Sequence, residues 1–395
     1  MHGKIEGIVS SFIPSHMRRQ VRELFASTII LNFAMAMVTI FEPIFLFLFF
    51  SEKFNITTSL SYVLIFYLAV YIPYLFCVSF GAGFAKKFGY EYGITLGTIF
   101  AALFYFALFA MNTSVWFILP AVIIDILWKI FYWPAYHANF AKFSVDGEQG
   151  REIGNMVVFE ALVYVIGPII GGLVVKFMGF KALFILSAII MILSNVPMLL
   201  TKEKEISGTF SYKDAFKRLF AKKNLKRTIS ILGYGEELIV LVIWPIFMFV
   251  VVKDFLELGV ITAIATFITT AMFLYIGKLA DKSNPNYVLR FGAVLYFFGW
   301  IFRIFAKGIW GVFAIDTYSR ITKQSVAVPM LAQIYKKARH TSVMEGVVYF
   351  EMALVVGKII AIVLSLILIM IFGASWNAIF ILGGLMSLLY IFFKI

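Results

Sequence analysis

The sequence predicts an all-α membrane protein in which twelve transmembrane helices form two bundles of six. Three observations support this prediction. The composition is too apolar for a soluble domain, twelve apolar segments are long enough to cross a bilayer, and an internal repeat relates the two halves of the chain. These features define a polytopic membrane protein before any single motif is considered.

The composition indicates that lipid is part of the protein's solvent. Of the 395 residues, 62% are hydrophobic and 14% are charged, whereas a soluble domain has about 45–50% apolar and about 25% charged residues. The single cysteine, Cys77, excludes an intrachain disulfide, and the four histidines are scattered. We therefore expect no metal site and no cofactor. The net charge of +13 does not require a nucleic-acid partner, because membrane topology explains where the basic residues lie.

Apolar segments of membrane-spanning length follow one another along the whole chain. A helix needs about 20 apolar residues to cross about 30 Å of hydrocarbon. The first segment is too long for the core of a signal peptide and is interpreted as a span that stays in the membrane. The ninth and tenth are the least regular, because Arg303, Lys307 and Arg320 interrupt them. The twelve predicted spans are 24–50, 58–80, 93–111, 115–137, 154–177, 183–200, 229–252, 260–277, 290–306, 310–333, 346–371 and 377–393.

The basic residues fix the predicted orientation. The connection 201–228 alone carries nine Lys or Arg, and the other loops on its side of the membrane are also basic. The opposite loops contain only Lys53, Lys176, Lys181, Lys253 and Lys307. By the positive-inside rule, both termini are expected in the cytoplasm and the protein in the cell membrane. The predicted domains are 1–200, a basic linker 201–228, and 229–395.

The linker contains a basic amphipathic segment, SYKDAFKRLFAKKNLKR (211–227). Helical periodicity places Tyr212, Phe216, Leu219 and Phe220 on one face among lysines and arginines. This pattern is typical of a helix that lies on the inner leaflet and is attracted to anionic lipids. A solvated basic linker is the alternative.

The two halves of the chain are related by an internal repeat. IDILWK (124–129) matches IDTYSR (315–320), and VVFEAL (157–162) matches VVYFEMAL (347–354), both at an offset of 191 residues. FEPIF (41–45) matches IWPIF (243–247) in the corresponding span. The chain is therefore interpreted as six spans duplicated, with parallel halves.

Short loop motifs in both halves resemble a known family. GKLADK (277–282), between the eighth and ninth spans, resembles the cytoplasmic signature loop of the major facilitator superfamily. The first-half copy, AGFAKKFG (82–89), is degenerate, with Ala82 in place of the leading glycine and Lys86 in place of the acid. The resemblance implies a gating role for the motif residues Gly277, Asp281, Lys282, Lys87 and Gly89.

The fifth span adds a second resemblance. Its small residues and proline are similar to the glycine–proline motif that the family's antiporters carry in this span, although Val163 stands where that motif has another glycine. Close packing between helices is the alternative interpretation. The residues concerned are Gly154, Gly167, Pro168, Gly171 and Gly172.

The resemblance implies alternating access, in which two six-helix bundles rock around a central site lined by spans one, four, seven and ten. It also implies a small-molecule substrate, and we expect a monomer. Ionisable residues within these spans and the neighbouring fifth and eleventh are candidates for proton coupling or for the cavity wall. They are Glu42, Asp125, Lys129, Glu160, Glu236, Asp316, Arg320 and Glu351.

Two of these groups recur as i, i+4 pairs, Asp125 with Lys129 and Asp316 with Arg320. Such pairs can neutralise each other on one helix face and serve only to hold a bundle together. Glu160 and its repeat partner have no cation three or four residues away on their own helix. An acid in that position can gain and lose a proton as water access changes.

Other candidates also have structural interpretations. Glu42 precedes a proline, so its carboxylate can satisfy backbone groups freed by a kink. Glu236 lies close enough to the end of its span to reach the cytoplasmic interface, and Lys358 can extend its ammonium to water. His137, at the water boundary, is interpreted as a solvated polar residue rather than a proton relay.

Aromatic residues in the cavity-lining spans form a second layer of candidates. Trp128, Trp133 and Trp244 can stack on an organic substrate or a cation, and interface belts or core packing are the alternatives.

The sequence thus predicts a secondary transporter that exports a small amphipathic or cationic molecule in exchange for protons. Proton symport of a sugar or metabolite is the alternative within the same fold, and a lipid scramblase or a non-transporting sensor is the alternative outside transport. No serine–histidine–acid set and no phosphate-binding glycine loop is present, so an enzyme is not expected.

Overall fold

The computed structural model describes residues 19–143, 150–199, 211–282, 285–339 and 343–393, and within these ranges the chain is helical with short connections and no strand. The twelve membrane-crossing helices are α1 (Arg19–Val38 and Phe41–Ser51), α2 (Ile56–Phe88), α3 (Tyr90–Met111), α4 (Ile118–Phe143), α5 and α6 (the parts of Gly150–Leu199 before and after Gly179), α7 (Leu225–Leu232, Gly235–Leu238, Ile239–Ile243 and Trp244–Val252), α8 (Phe255–Lys282), α9 (Pro285–Phe302), α10 (Gly308–Arg339), α11 (Val343–Phe372) and α12 (Trp376–Leu388). A further helix, Tyr212–Phe220, precedes α7 and is called the linker helix.

The predicted count of twelve spans is confirmed. Nine helical segments of the described chain are long and apolar enough to cross a membrane, and one of them, Glu160–Pro197, contains two crossings. Of the other two crossings, α12 is shorter, and α10 is less apolar because Asp316, Arg320 and Lys323 lie in its central turns.

Two prolines related by the repeat distort their helices at the same place. Pro43 lies four residues after Thr39, where α1 is interrupted, and Pro245 lies four residues after Leu241, inside a π-helical segment of α7. A proline cannot donate to the carbonyl four residues earlier, and its ring clashes with that carbonyl. The regular α-helix is therefore interrupted beside Glu42 in α1 and a few residues after Glu237 in α7.

Two backbone features depend on glycine. Gly179 has φ +80° and separates α5 from α6, a conformation that side chains other than glycine rarely adopt. Across the boundary between bundles, a Cβ added to Gly172 of α5 would lie 2.6 Å from the Phe255 carbonyl oxygen, and one added to Gly259 of α8 would lie 2.3 Å from the Pro168 carbonyl oxygen. The backbones of α5 and α8 are in direct contact there.

Helices α1–α6 form the N-terminal bundle and α7–α12 the C-terminal bundle. Two long seams join them, α2 against α11 and α5 against α8, and further contacts join α4 to α10 and α11, and α1 to α7. The membrane surface at the start of α1, the end of α2 and the linker helix is called the terminal face. The surface at the end of α1 and between α7 and α8 is called the opposite face.

The linker helix is present as predicted, but its apolar side is packed differently from the expectation. Ala215 and Leu219 are buried, and the helix contacts α11. Phe216 and Phe220 remain exposed. Residues 200–210 lie outside the described chain, and α7 begins at Leu225.

Candidate functional site

The first charge pair is deep in the N-terminal bundle. The Lys129 Nζ lies 2.6 Å from Asp125 Oδ1, as the i, i+4 spacing predicts. Asp125 is 0% exposed, and its second oxygen, Oδ2, has no hydrogen-bond partner among the described residues. The ammonium of Lys129 also lies over two aromatic rings, 4.8 Å from the Trp128 centroid and 5.8 Å from that of Tyr71. This lysine therefore holds one carboxylate and two π-faces at once.

Glu42 of α1 completes this cluster. Its two carboxylate oxygens accept hydrogen bonds from Tyr67 Oη at 3.0 Å and Tyr105 Oη at 2.8 Å. The group lies within electrostatic range of Asp125 and Lys129. Among the described residues, the hydrogen bonds to Glu42 come from these tyrosine hydroxyls and not from backbone groups at the proline kink, which argues against its interpretation as a cap. The cluster contains two carboxyl groups and one ammonium, with Asp125 fully buried and Glu42 half-buried.

The corresponding pair in the C-terminal bundle has different surroundings. Arg320 Nε donates to Asp316 Oδ2 at 2.6 Å, and the Trp244 indole N–H donates to Asp316 Oδ1 at 2.8 Å. Trp244 occupies the position that Glu42 has in the other half of the repeat. The guanidinium of Arg303 stacks 3.7 Å from the Trp300 ring centroid and is buried. The C-terminal bundle therefore has the indole N–H of Trp244 at the position of the Glu42 carboxylate, and it has the additional cation Arg303 nearby.

Glu236 is part of a second cluster in the C-terminal bundle. Tyr296 and Tyr390 donate to its carboxylate at 2.6 and 2.8 Å, and Lys323 of α10 forms an ion pair with it. The prediction that Glu236 reaches the cytoplasmic interface is wrong, because the residue is 0% exposed. The side chains that bind Glu236 within the bundle come from α9, from α10 and from the segment after α12.

Lys358 joins the two bundles instead of reaching water. Its Nζ is 3.1 Å from Glu237 and lies 5.5 Å from the centroid of the Tyr71 ring. The snorkelling interpretation is wrong, because the ammonium is engaged inside the protein and the residue is 8% exposed. Tyr71 of α2 thus contacts Lys129 of the N-terminal bundle and Lys358 of the C-terminal bundle, so one ring connects the two charged clusters.

Glu351 of α11 crosses the seam between bundles. It accepts a hydrogen bond from Tyr74 Oη of α2 at 2.8 Å, and His137 Nε2 of α4 lies 3.0 Å from its other oxygen. The expectation that His137 is a solvated residue at the water boundary is wrong, because its ring contacts the acid and stacks on Trp133 at 5.6 Å. The contact lies in the half of the membrane nearer the terminal face.

Glu160 has a different environment from its repeat partner. Its carboxylate accepts a hydrogen bond from the side-chain amide of Asn32 on α1 at 2.7 Å and is half-buried. Tyr132, Tyr136 and Tyr164 lie within its electrostatic range. The interaction joins helices within the N-terminal bundle, so the duplication preserved the acid but not its role in the contact between bundles.

A second contact between bundles lies at the opposite face. Lys176 Nζ of α5 is 2.7 Å from Asp254 Oδ2, in the connection between α7 and α8. Asp254 also accepts backbone hydrogen bonds from Leu256 and Glu257. The hydrogen bond from Lys176 and those from the backbone hold the pKa of Asp254 below its usual value. Together with Glu351–His137, this bridge places one polar contact between bundles on each side of the central clusters.

The aromatic candidates fall into two groups. Trp128 and Trp244 are buried and contact the charged residues directly, the first under Lys129 and the second through its N–H to Asp316. Trp133 is half-buried beside His137. All three therefore adjoin the charged clusters.

The motif residues lie away from these clusters. Gly89 has φ +114° and separates α2 from α3, and the Lys87 ammonium lies over the neighbouring Phe88 ring. Gly277, Asp281 and Lys282 close α8, and Gly154 lies in α5, in stretches whose side chains are outside the described part of the structure.

The small residues of the fifth span pack against other helices. A Cβ on Gly167 would lie 2.5 Å from the Ala36 Cβ, and one on Gly171 would lie 2.2 Å from the Met37 carbonyl oxygen. With Gly172 and Pro168 against α8, this geometry favours the close-packing interpretation of the motif.

Sequence reasoning missed several residues of the clusters. Lys323 had a usable signal, because it is a cation inside an apolar span, seven residues after Asp316 on the same helix face. The hydroxyl donors and Asn32 had none, since their acceptors lie far away in sequence and are brought near only by helix packing. These donors are Tyr67, Tyr74, Tyr105, Tyr296 and Tyr390.

Two six-helix bundles that carry buried charged clusters are the architecture of secondary active membrane transporters. Residues 24–319 match the family model of the Major Facilitator Superfamily, and the chain belongs to that family. No curated protein sequence matches the chain.

Solved structures of POT family transporters share the fold. One is the crystal structure of an auto-inhibited POT family peptide transporter, with TM-score 0.72, 10% identity and coverage of 94% of this chain and 95% of that one. Another is a POT family transporter in complex with 5-aminolevulinic acid, with TM-score 0.68, 12% identity and coverage of 95% of both chains.

Proposed function

We propose that the protein couples proton movement to the transport of a small organic molecule by alternating access. The observation that carries this proposal is the cluster of Glu42, Asp125 and Lys129. Two carboxyl groups lie close to one ammonium inside the membrane, and the ammonium pairs with the buried Asp125. An isolated charge is costly at that depth, by roughly 2.5–3.5 kcal/mol even on an insertion scale. In this proposal, a proton on one carboxyl group makes the cluster neutral.

Coupling to transport requires that the cluster senses the movement of the bundles. Tyr71 provides the connection, because its ring lies under Lys129 of one bundle and Lys358 of the other. Movement of α11 away from α2 would remove Lys358 from this ring and expose the cluster to one side of the membrane. Protonation and bundle position then bias each other, as coupled transport requires.

The contacts at the two faces supply the gates in this proposal. Opening towards the terminal face breaks Glu351–His137 and Glu351–Tyr74, and opening towards the opposite face breaks Lys176–Asp254. We extend to Glu160, Asp316 and Arg320 the role of switching groups that change partners between states.

For the substrate, the free oxygen of Asp125 favours a molecule with an amine or other cationic group. The residue is buried, and its Oδ2 lacks a donor among the described residues. An amine entering the cluster would supply that donor and replace the proton. Exchange of a cationic or amphipathic molecule for protons, and hence export, is the first proposal.

Uptake by proton symport is the second candidate, and a specific observation favours it. The ammonium groups of Lys129 and Lys358 lie 5.8 and 5.5 Å from the centroid of the Tyr71 ring, so a carboxylate that binds beside this ring between the bundles would lie near two cations. The structural similarity to a transporter in complex with 5-aminolevulinic acid, which carries both an amine and a carboxylate, agrees with a substrate of this kind.

A pair of vesicle assays distinguishes these candidates. Proteoliposomes are given a pH gradient, and the movement of ethidium, as the cationic probe, and of 5-aminolevulinic acid is followed in both directions. Movement of ethidium against the direction of proton flow supports export, and movement of 5-aminolevulinic acid with the protons supports symport. If a thermal-shift screen then finds a binding compound whose transport ignores the gradient, proton coupling is wrong.

We also propose that both termini and the linker helix face the cytoplasm, that the domains follow the predicted boundaries, and that a monomer is the working unit. The test uses a membrane-impermeant thiol reagent and single cysteines in a Cys77→Ser background. A cysteine at Lys53 should be labelled in intact cells, and one at Lys222 should be labelled only after the membrane is opened. Labelling with the reverse sidedness would overturn the orientation.

A further inference from the structure

A groove opens on the terminal face between α2 and the linker helix. It is lined by Phe76 of α2 and by Lys213, Phe216 and Lys217 of the linker helix, and its volume is about 430 Å³. The groove is separate from the charged clusters and from both gates. Its wall is aromatic, and its rim carries two cations.

The aromatic wall is continuous with a lipid-facing surface. Phe76 is 57% exposed and Phe80, one helical turn later on α2, is 72% exposed. Because α2 crosses the membrane, rings exposed on its surface contact lipid rather than water. On the other side of the groove, Phe216 and Phe220 of the linker helix are exposed with their ring centroids 5.3 Å apart.

The rim is positively charged. Lys213 and Lys217 are exposed one turn apart on the linker helix. Among the described residues, Glu345 of α11 is already paired with Arg218, and Asp214 lies in the first turn of the linker helix. The exposed lysines that continue the basic surface towards α7 are Lys222, Lys223 and Lys226.

We propose that this groove binds an anionic phospholipid from the leaflet on the terminal face. One acyl chain lies against Phe76 and Phe216, and the phosphate group lies between Lys213 and Lys217. The depth of Phe76 in a membrane-crossing helix argues for a lipid, since a soluble acidic partner would meet the lysines but not the ring. Charge complementarity at the rim argues for an anionic headgroup rather than a zwitterionic one.

The site spans the seam between bundles, which gives the lipid a role in the fold. Phe76 belongs to the N-terminal bundle. The linker helix is bound to the C-terminal bundle, because Arg218 pairs with Glu345 of α11 and the Thr228 hydroxyl of α7 donates to the Leu219 carbonyl oxygen at 3.3 Å. A lipid that contacts both sides favours the arrangement in which α2 and α11 are together at this face.

The test measures lipid retention by the full-length protein. Protein purified in dodecyl maltoside is titrated with phosphatidylglycerol or phosphatidylcholine, and the bound lipids are counted by native mass spectrometry. The wild type should retain phosphatidylglycerol in preference. The Lys213→Gln/Lys217→Gln variant should bind it roughly 30-fold more weakly, because each lysine close to an anionic headgroup strengthens binding about five- to sixfold and the two factors multiply.

Matched variants separate a site from general attraction to charge. Lys222→Gln/Lys223→Gln removes the same charge outside the groove and should retain most of the binding. Phe76→Ala should weaken it, whereas Phe106→Ala, a lipid-facing ring on α3, should not. Three results would overturn the proposal. They are an equal loss of binding in both lysine variants, no preference of the wild type between the two lipids, and stronger competition by soluble hexaglutamate than by lipid. Because the readout is binding, it stands apart from any test of proton coupling.

Discussion

His137 and Glu351 meet across the boundary between the two bundles, with the imidazole Nε2 3.0 Å from a carboxylate oxygen. The histidine is on α4 and the acid on α11, so a movement that separates the bundles at the terminal face breaks this contact. The interaction is therefore expected only in conformations that are closed at the terminal face.

The first prediction concerns this contact. His137→Gln and Glu351→Gln should each lower the thermal unfolding midpoint of the detergent-solubilised protein. Their effects should be non-additive by about 1 kcal/mol or more, since residues in direct contact couple by roughly 0.5–3 kcal/mol. His137→Gln combined with Glu160→Gln is the control and should be additive, because Glu160 is bound to Asn32 within one bundle. Additivity in both pairs would contradict the contact.

The second prediction concerns Asp125 and Lys129. Lys129→Met leaves the fully buried Asp125 without its cation and should destabilise the protein by about 3–5 kcal/mol, the usual result of removing one partner of a buried ion pair. Asp125→Asn combined with Lys129→Met should recover much of that loss, because the buried carboxylate that lost its partner is then replaced by a neutral amide. Unfolding in sodium dodecyl sulfate titrations measures both. A double variant that is less stable than Lys129→Met would show that the pair is not a unit.

The third prediction isolates one hydrogen bond. Trp244→Phe keeps an aromatic ring that can stack on Phe247 but removes the N–H that binds Asp316, and it should cost about 1.5–3 kcal/mol. Trp300→Phe is a matched control from the same bundle, because its Nε1 is buried with no hydrogen-bond partner among the described residues. The control should lose less of the free energy of unfolding. Equal losses would mean that ring volume, not the N–H, matters at Trp244.

The fourth prediction is a pH dependence at the opposite face. The pKa of Asp254 is held below its usual value by Lys176 and by backbone donors, so the folded state favours the carboxylate. The resulting stability is present above the unfolded value of about 3.9 and is lost as pH falls through the lowered folded value. Asp254→Asn should therefore be less stable than the wild type at pH 5–7, with the difference disappearing below pH of about 4.

Lys307→Gln removes an exposed cation outside that bridge and serves as the control for this experiment. Its difference from the wild type should not change over the same pH range. A loss of stability in Asp254→Asn that persists unchanged at the lowest pH would mean that the carboxylate is not what Lys176 stabilises.

The fold was predictable because its determinants are local or periodic. Apolar length marks each span, and the repeat pairs Pro43 with Pro245, which explains why α1 and α7 are distorted at equivalent places. The pair Asp125–Lys129 followed from spacing along one helix. The apolar-length criterion also marked α10, although Arg320 interrupts it, and the repeat of its acid and base in α4 agrees with that assignment.

The partners of the other charges were not predictable, for a physical reason. A buried carboxylate accepts donors from whichever helix packs against it, and the 19 tyrosines of the chain carry no mark of which hydroxyl faces an acid. Glu351 finds Tyr74 at a separation of 277 residues. The repeat was misleading in one respect, because it implied equal roles for Glu160 and Glu351, which the structure places within one bundle and between two bundles respectively.

The most direct test of the central claim is proton-driven accumulation in proteoliposomes, using the compound that the binding screen identifies. The wild type should accumulate it when a pH gradient is imposed and stop when nigericin collapses the gradient. Glu42→Gln, which leaves the free oxygen of Asp125 in place, should bind the compound and exchange it across the membrane but should not accumulate it. Accumulation that survives nigericin, or that persists in Glu42→Gln, would contradict a role for the Glu42–Asp125–Lys129 cluster in proton coupling.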